Sequence, residues 1–451
     1  MERTIISDVA NKKGSAVHVA GWIDIRRDHG KLMFLVVRDR GGSVQAVIKE
    51  GSPAFGTATH LREQWVVSVH ATVVERPEKM RKDEPNGDVE LVIEELHVLS
   101  AAAEMPFDMD AELNLDTLLD YRPLTLRTQR SRDIFTIQST ITESFREFLR
   151  DNGFTEYQPP ALVGGDAEGG ASAFKVNYYK DKPAYLATSP QLYKQIMVGA
   201  FERVFSIGKV FRGEEHATSR HLSEYSSLDF EMGFIEDHHD IMEMTQGLYT
   251  HISHTIGERH ADILARFGVE APKTPKTFPV LKLVEAQQII EAEFGGKAVG
   301  ELDLEPEHER QICEWAYKKH GSDFVFVTHY PVSKRPFYTY EDPEDPGKTR
   351  SFDVLFRGLE ITTGGQRVHD YDEMVSKIEA KGMNPELFSF YLQAFKYGMP
   401  PHGGTGNGLE RITELMLGLH NVREATLFPR DMNRIDTLLS QESGGKEKRE
   451  D

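Results

Sequence analysis

Four short stretches of the chain bring together residue types suited to chemistry on a charged, phosphorylated substrate. The first is Phe211-Arg212-Gly213-Glu214-Glu215-His216, followed closely by Arg220-His221. A guanidinium keeps its charge at every physiological pH and meets phosphate or carboxylate oxygens two at a time. Taken alone, such a loop reads as readily as a solvated hairpin with ion pairs. The second is Gly403-Gly404-Thr405-Gly406-Asn407-Gly408-Leu409-Glu410-Arg411, ahead of a helical pattern through Ile412, Leu415, Met416 and Leu419. Glycines before a helix let backbone approach a ligand, and the helix N-terminus favours anions. No Gly-Lys-Ser/Thr follows, so this is not a P-loop, and a tight turn is the plain alternative.

The third stretch runs from 351 to 367 and reads as two strands carrying Asp353 and Glu360 among apolar neighbours. Such carboxylates are costly to bury unless paired or metal-bound, and carboxylate with phosphate oxygens is the donor set magnesium prefers. A pair of edge-strand acids is the alternative. The fourth, Ser189-Pro190-Gln191-Leu192-Tyr193-Lys194-Gln195, opens a helix. Gln191 and Lys194 are three residues apart and share a face, where an amide beside a cation can receive a carboxylate.

These residues need elements to hold them. Residues 204–210 and 225–232 read as strands around the charged loop, and Ile134, Ile137, Ile141, Phe145 and Phe148 recur at helical spacing. Five short strands, at 16–23, 32–37, 44–48, 65–74 and 89–93, precede them. They suit a five-stranded OB-fold β-barrel over 1–104, with a sandwich fragment as the competing arrangement. Residues 105–130 read as a hinge or linker around Pro106 and Pro123. Residues 131–438 alternate strands and helices, giving an α+β chain with an antiparallel sheet flanked by helices. Within them, 272–330 carry two helical patterns and can be read as an insertion. Residues 439–451 are polar and charged and read as a disordered tail.

A length of 451 residues implies two or three domains. Hydrophobic content of 39% and 28% charged residues are those of an ordinary globular protein. No apolar run is long enough for a membrane span, and the first residues lack a signal peptide's apolar core. The single cysteine, Cys313, excludes internal disulfides and multi-cysteine metal sites and fits a reducing cytoplasm. A net charge of -19 argues against coating nucleic acid by bulk electrostatics, yet leaves room for a local basic patch. A cytosolic enzyme is the default, and an acidic interaction scaffold the alternative.

Together and in this order, these segments resemble the class II aminoacyl-tRNA synthetases, and within them the aspartyl branch of archaeal and eukaryotic type, from Gly21 to about Asp436. The bacterial insertion is absent. Residues 145–160 match the family's first motif, a helix and a strand ending in proline at the dimer interface, so the resemblance implies a homodimer. The second motif matches 211–225. By resemblance Arg212 grips the α-phosphate and the amino acid's carboxylate, and Glu214 contacts adenine. Arg220 and His221 reach the outer phosphates, Leu222 lies along the nucleotide, and Tyr225, usually phenylalanine in the family, stacks on adenine. The third motif matches 406–411, with Gly408, Leu409 and Glu410 beside ATP and Arg411 on its terminal phosphates. Thr405 and Asn407 replace bulkier apolar residues common there.

The resemblance also implies an aspartate pocket. Lys194 and Arg367 match the cations that take the side-chain carboxylate, where asparaginyl enzymes carry an acid near the Lys194 position. Asp229 and Glu168, the latter in a mobile loop at 167–171, would hold the ammonium, with Gln191 and Thr363 completing the pocket. Glu360, Thr363 and Asp353 would bind Mg2+, and Arg212, Arg411 and Glu360 would be the catalytic groups. The barrel resembles an anticodon-binding domain, with Phe34 stacking a base and Gln45 and Arg27 reading or clamping it, inside a basic cluster of Arg26, Arg27, Lys31, Arg38 and Arg40. For Phe34 the barrel interior is the alternative. His29 and Pro77 look like features of relaxed enzymes that charge tRNA(Asn) as well as tRNA(Asp), which leaves the second acceptor open. The expectation is therefore a cytoplasmic, ATP-dependent aspartate–tRNA ligase. The alternative is a paralogue with a metabolic amide-forming or regulatory RNA-binding role.

Overall fold

The structure, a computed structural model, describes residues 1–109, 111–165, 173–214 and 218–435. It divides into two units, 1–112 and 113–451. In the first, strands β1 (Ala16–Asp28), β2 (Leu32–Asp39), β3 (Gly42–Lys49), β4 (Val66–Glu75) and β5 (Val89–Ser100) close into a barrel in the order β1-β2-β3-β5-β4. Alternation drives the closure: Val17, Val19, Met33, Leu35 and Val37 point inward with less than a fiftieth of their surface exposed. Gly21 is required where β1 meets β2, because a Cβ there would lie 2.2 Å from the Arg38 carbonyl oxygen. A closed barrel leaves no free edge, which separates it from the sandwich arrangement.

The second unit begins inside the expected linker. Residues 105–112 go with the barrel, whereas Leu115–Asp120 and Arg122–Thr125 are helical turns of the second unit. Arg122 shows why: its buried guanidinium donates to the carbonyls of Leu427 (2.8 Å), Thr426 (2.6 Å) and Glu424 (3.2 Å). Helix α1 (Gln129–Asp151) follows, capped by the Thr128 side chain on Ser131 N, with Ile134, Ile137, Ile141, Phe145 and Leu149 forming its buried stripe.

That stripe joins a core with an eight-stranded sheet. Its strands are β6 (Thr155–Glu156), β7 (Arg203–Phe211), β8 (Glu224–Gly233), β9 (Val280–Lys282), β10 (Phe324–Thr328), β11 (Ser351–Phe356), β12 (Leu359–Arg367) and β13 (His402–Gly408). The order is β9-β10-β11-β12-β13-β8-β7-β6. Pairing is antiparallel except at the two edges, where β6 and β9 run parallel to their neighbours. Since β9 and β10 belong to this sheet, 272–330 is not a separate helical insertion: its helices Leu283–Ile289 and Pro306–His320 pack on the sheet they interrupt.

The glycine-rich run is likewise a strand rather than a turn. β13 lies between β12 and β8, and a Cβ on Gly404 would sit 2.0 Å from Phe230 O and 2.4 Å from Glu231 Oε2. Helices α2 (Gln191–Phe201), α3 (His238–Arg259), α4 (Ser389–Lys396) and α5 (Leu409–Leu417) flank the sheet. Among the described residues no helix is long and apolar enough to cross a membrane. The expected disordered tail, 439–451, lies outside the described residues.

Candidate active site

A cavity of about 260 Å³ lies over β8, β13 and β12. Lys194, Arg212, Arg220, Arg367 and Arg411 line it against Asp229, Glu360 and Glu410, five cations to three carboxylates. In a chain of net charge -19 this local excess of two positive charges marks a place for anions.

One end is built from α2 and the middle of the sheet. Lys194 is 1% exposed. Its ammonium donates to Asp229 Oδ1 (3.0 Å) and to the Thr405 carbonyl (2.9 Å), and lies 3.3 Å from Glu231 Oε2. Arg367 reaches the same Glu231 from β12, with Nε 3.0 Å from Oε1 and Nη2 donating to Gly404 O at 2.8 Å. Its guanidinium also lies over the Tyr338 ring at 5.5 Å. Burial opposes ionisation of Glu231, but Arg367 and Lys194 outweigh it and hold the carboxyl below its ordinary range. The same attraction lifts Arg367 above its usual value despite burial. Glu231 therefore points two cations at one end of the cavity. Period-2 alternation along β8 puts Asp229 and Glu231 on one face, a signal the sequence carried and that the reading of Asp229 alone left unused. Gln191 lines the cavity beside them and donates to Gln195 Oε1 at 3.0 Å.

The other end collects arginines. Arg212 follows β7, its guanidinium 5.4 Å from the Tyr225 ring centre, and both line the cavity. Tyr225 faces Val210 across the hairpin, so strand pairing fixes the two positions. Arg411 donates to the Glu360 carbonyl at 3.1 Å from the first turn of α5. Arg220 lies 3.9 Å from Glu309. Burial, then the charge of Glu360, pushes Glu309 up to about 7, and burial does the same to Glu414 despite Arg411 and Arg220. Neither acid is singled out by the sequence: Glu309 comes from a distant segment, and Glu414 lies one turn beyond Arg411 on α5.

Glu360 and Thr363 form the oxygen pair open to a cation. Thr363 Oγ1 donates to Glu360 Oε1 at 2.9 Å, both line the cavity, and among the described residues no Lys or Arg forms an ion pair with the Glu360 carboxylate. A carboxylate and a hydroxyl without a protein counter-ion fit a hard divalent ion. Asp353 stands beside this pair, facing Thr363 across the two strands and feeling the charge of Glu360. It is outside the cavity lining, its Oδ2 pairs with Arg335 at 2.7 Å, and its buried Oδ1 has no hydrogen-bond partner among the described residues. Burial still raises Asp353 to about 6.

Other expected positions divide. His221, Leu222, Gly408 and Glu410 line the cavity. Glu410 also accepts from Ser226 N at 2.9 and 3.0 Å, bracing α5 against β8. Leu409 is a core residue, 6% exposed, and Glu214 is exposed and outside the cavity lining. Glu168 lies outside the described residues. In the barrel, Phe34 faces outward between inward Met33 and Leu35, so it is not interior, and its ring meets His29 edge-on at 5.5 Å. Arg27 is its cross-strand partner and is exposed. Gln45 donates to Glu90 at 2.9 Å. The basic cluster is smaller than expected: Arg38 is buried against Asp24 (2.9 Å) and over Trp22, and Arg26 pairs with Asp28 (3.2 Å).

Comparison with known proteins adds independent findings. Residues 114–432 match the family described as tRNA synthetases class II (D, K and N), and residues 17–99 match an OB-fold nucleic acid binding domain. Aspartate--tRNA(Asp/Asn) ligase of Thermus thermophilus is 46% identical over 437 residues, covering 96% of this chain and 99% of the relative. Aspartate--tRNA(Asp) ligase of Thermococcus kodakarensis is 40% identical, covering 94% and 96%. The crystal structure of asparaginyl-tRNA synthetase from Pyrococcus horikoshii complexed with asparaginyl-adenylate superposes with a TM-score of 0.88 at 34% identity, covering 96% of this chain and 99% of that one.

Proposed function

The chain belongs to the class II tRNA synthetases of the D, K and N group, and from that premise we propose that it activates L-aspartate with ATP and transfers it to tRNA(Asp), with tRNA(Asn) as a second acceptor. The observation that carries the choice of amino acid is the Lys194–Glu231–Arg367 arrangement at the cavity's end. Lys194 and Arg367 converge there on Glu231, so that end offers two cationic groups to a side-chain carboxylate. Asparagine would leave the two cations facing a neutral amide, and a site built around charge rejects such a ligand strongly.

In this reading Lys194 and Arg367 take the side-chain carboxylate, and Gln191 and Asp229 take the ammonium. Arg212 holds the α-carboxylate against the α-phosphate, while Arg220, His221 and Arg411 hold the outer phosphates. The α-carboxylate oxygen attacks the α-phosphorus, the bond to the bridging oxygen breaks, and pyrophosphate leaves. The nucleophile is already an anion, so this step needs no general base. The work is positioning and charge stabilisation. Glu360 and Thr363 would hold Mg2+, which supplies positive charge for the leaving phosphates. The terminal ribose hydroxyl of tRNA then attacks the carbonyl and AMP leaves.

The barrel's outward Phe34 and exposed Arg27 support an anticodon contact, and His29 with Pro77 supports the relaxed acceptor range that the Thermus relative's name describes. We also propose a homodimer through α1 and a cytoplasmic location, the latter supported by the lone buried Cys313. Aspartate-dependent ATP–pyrophosphate exchange tests the activation step. Arg212→Ala should reduce it by about 10²-fold or more. Exchange that asparagine drives as well as aspartate would overturn the assignment, and charging of purified tRNA(Asp) and tRNA(Asn) decides the acceptor range.

A further inference from the structure

Behind Gln191 lies a buried chain of hydrogen bonds that the mechanism above does not use. His402, the first residue of β13, is fully buried. Its Nδ1 lies 2.9 Å from the carbonyl oxygen of Pro400, and its Nε2 lies 2.9 Å from Gln195 Nε2. Gln195 Oε1 in turn meets Gln191 Nε2 at 3.0 Å and the Tyr391 hydroxyl at 3.1 Å. Gln195 and Tyr391 are themselves 0% and 2% exposed, so water does not serve these groups.

Resting on the reading of the pocket as the amino-acid site, we propose that His402 is a positioning residue that fixes the amide of Gln191 with its carbonyl oxygen toward the substrate ammonium. The direction of every bond follows from one atom. A carbonyl oxygen only accepts, so His402 must carry its proton on Nδ1. Burial pushes this imidazole down to about 4, so at neutral pH it holds a single proton and Nε2 is an acceptor. The Gln195 atom facing it must then be the NH2 group, which turns Gln195 Oε1 toward Gln191 and Tyr391. Gln191 must donate its own NH2 there, and its oxygen is left for the cavity, which Gln191 lines. Tyr391 can donate or accept, so it follows this polarity and does not set it.

The anchor is stiff for a covalent reason. The ring of Pro400 fixes its φ, and Pro401 after it restricts its ψ, so the carbonyl at the head of the chain has little freedom to turn. An inverted Gln191 would present NH2 to an incoming ammonium, two donors face to face. The relay therefore makes the pocket an acceptor for the amino group before substrate arrives, which is the preorganisation that binding and catalysis both exploit.

Two measurements test this. Protein labelled with 15N in histidine should show His402 protonated at Nδ1 and bare at Nε2 at neutral pH, its signals identified by their loss in His402→Gln. A proton on Nε2 overturns the relay. Kinetics of pyrophosphate exchange then separate positioning from general damage. In His402→Phe the KM for aspartate should rise about tenfold or more, while the KM for ATP and inhibition by succinate, which lacks the amine, stay within about twofold. His402→Gln, whose amide can accept from Gln195 and donate to Pro400, should recover most of the loss. Succinate and ATP weakening in step with aspartate overturns the relay. If unaltered protein shows no aspartate-dependent exchange, the functional reading falls, and the tautomer measurement still judges the hydrogen-bond chain by itself.

Discussion

At the scale of single residues, Glu231 carries the greatest consequence. It is fully buried between Lys194 and Arg367, and its removal leaves two desolvated cations with one fewer anion. Breaking a buried pair in this way costs about 3–5 kcal/mol. Glu231→Gln should therefore lower the melting temperature, and aspartate should recover part of the loss because its side-chain carboxylate replaces the missing anion. Recovery by asparagine to the same extent would contradict the proposed pocket. Glu309 behaves in the opposite way. Its folded-state value of about 7 lies above the ordinary 4.5, so the folded protein binds this proton more tightly than the unfolded chain. The contribution is complete below about pH 4.5 and is lost as pH rises to about 7. Glu309→Gln, which cannot ionise, should gain about 3 kcal/mol over the parent at pH 8 and nothing at pH 4. Thermal unfolding at the two pH values reads this directly, and an equal gain at both would reject it.

At the scale of elements, β13 determines whether the site exists. It places Thr405 O on Lys194, Gly404 O on Arg367 and His402 on Gln195, all from one strand between β12 and β8. Gly404→Ala would drive a methyl group into Phe230 O and the Glu231 carboxylate, neither of which can move without breaking the sheet or the ion pairs. The expected cost is more than about 3 kcal/mol, the upper end of overpacking, read as a fall in melting temperature together with lost exchange activity. This strand also shows where sequence reasoning runs out. Periodicity made α1 and the barrel strands legible, since their buried faces repeat at 3.6 and 2 residues. Glycines carry no such pattern, so nothing in the sequence marked β13 as a strand. Arg212, Lys194, Arg367 and Arg411 were legible through their motifs, and all line the cavity. Glu309 and Arg335 were not, because a buried charge is identified by its partner and these partners are far apart in the chain. The Arg335 partner of Asp353 was hidden in the same way, since nothing near Asp353 in sequence announces it.

At the scale of the whole molecule, a chain of net charge -19 must bind a polyanion. Long-range attraction works against it, so the proposed tRNA contact has to rest on local features of the barrel. Once Arg38 and Arg26 are assigned to Asp24 and Asp28, the exposed cations of the expected cluster are Arg27, Lys31 and Arg40. Each phosphate neutralised steepens the salt dependence of binding by about 0.7–0.9 in logarithmic slope. Replacing those three by alanine should then flatten the slope of the tRNA KM against salt by about 2. Phe34 acts by a different force. In the proposed contact its outward ring serves as a stacking platform, worth about 1–3 kcal/mol per base and indifferent to salt. Phe34→Ala should raise the KM for tRNA about tenfold at every salt concentration, with the slope and the aspartate-dependent exchange unchanged. The two variants thus separate charge from stacking in one experiment. A Phe34→Ala defect that vanishes at high salt, or that appears in exchange without tRNA, would remove the barrel from the proposed recognition of the anticodon.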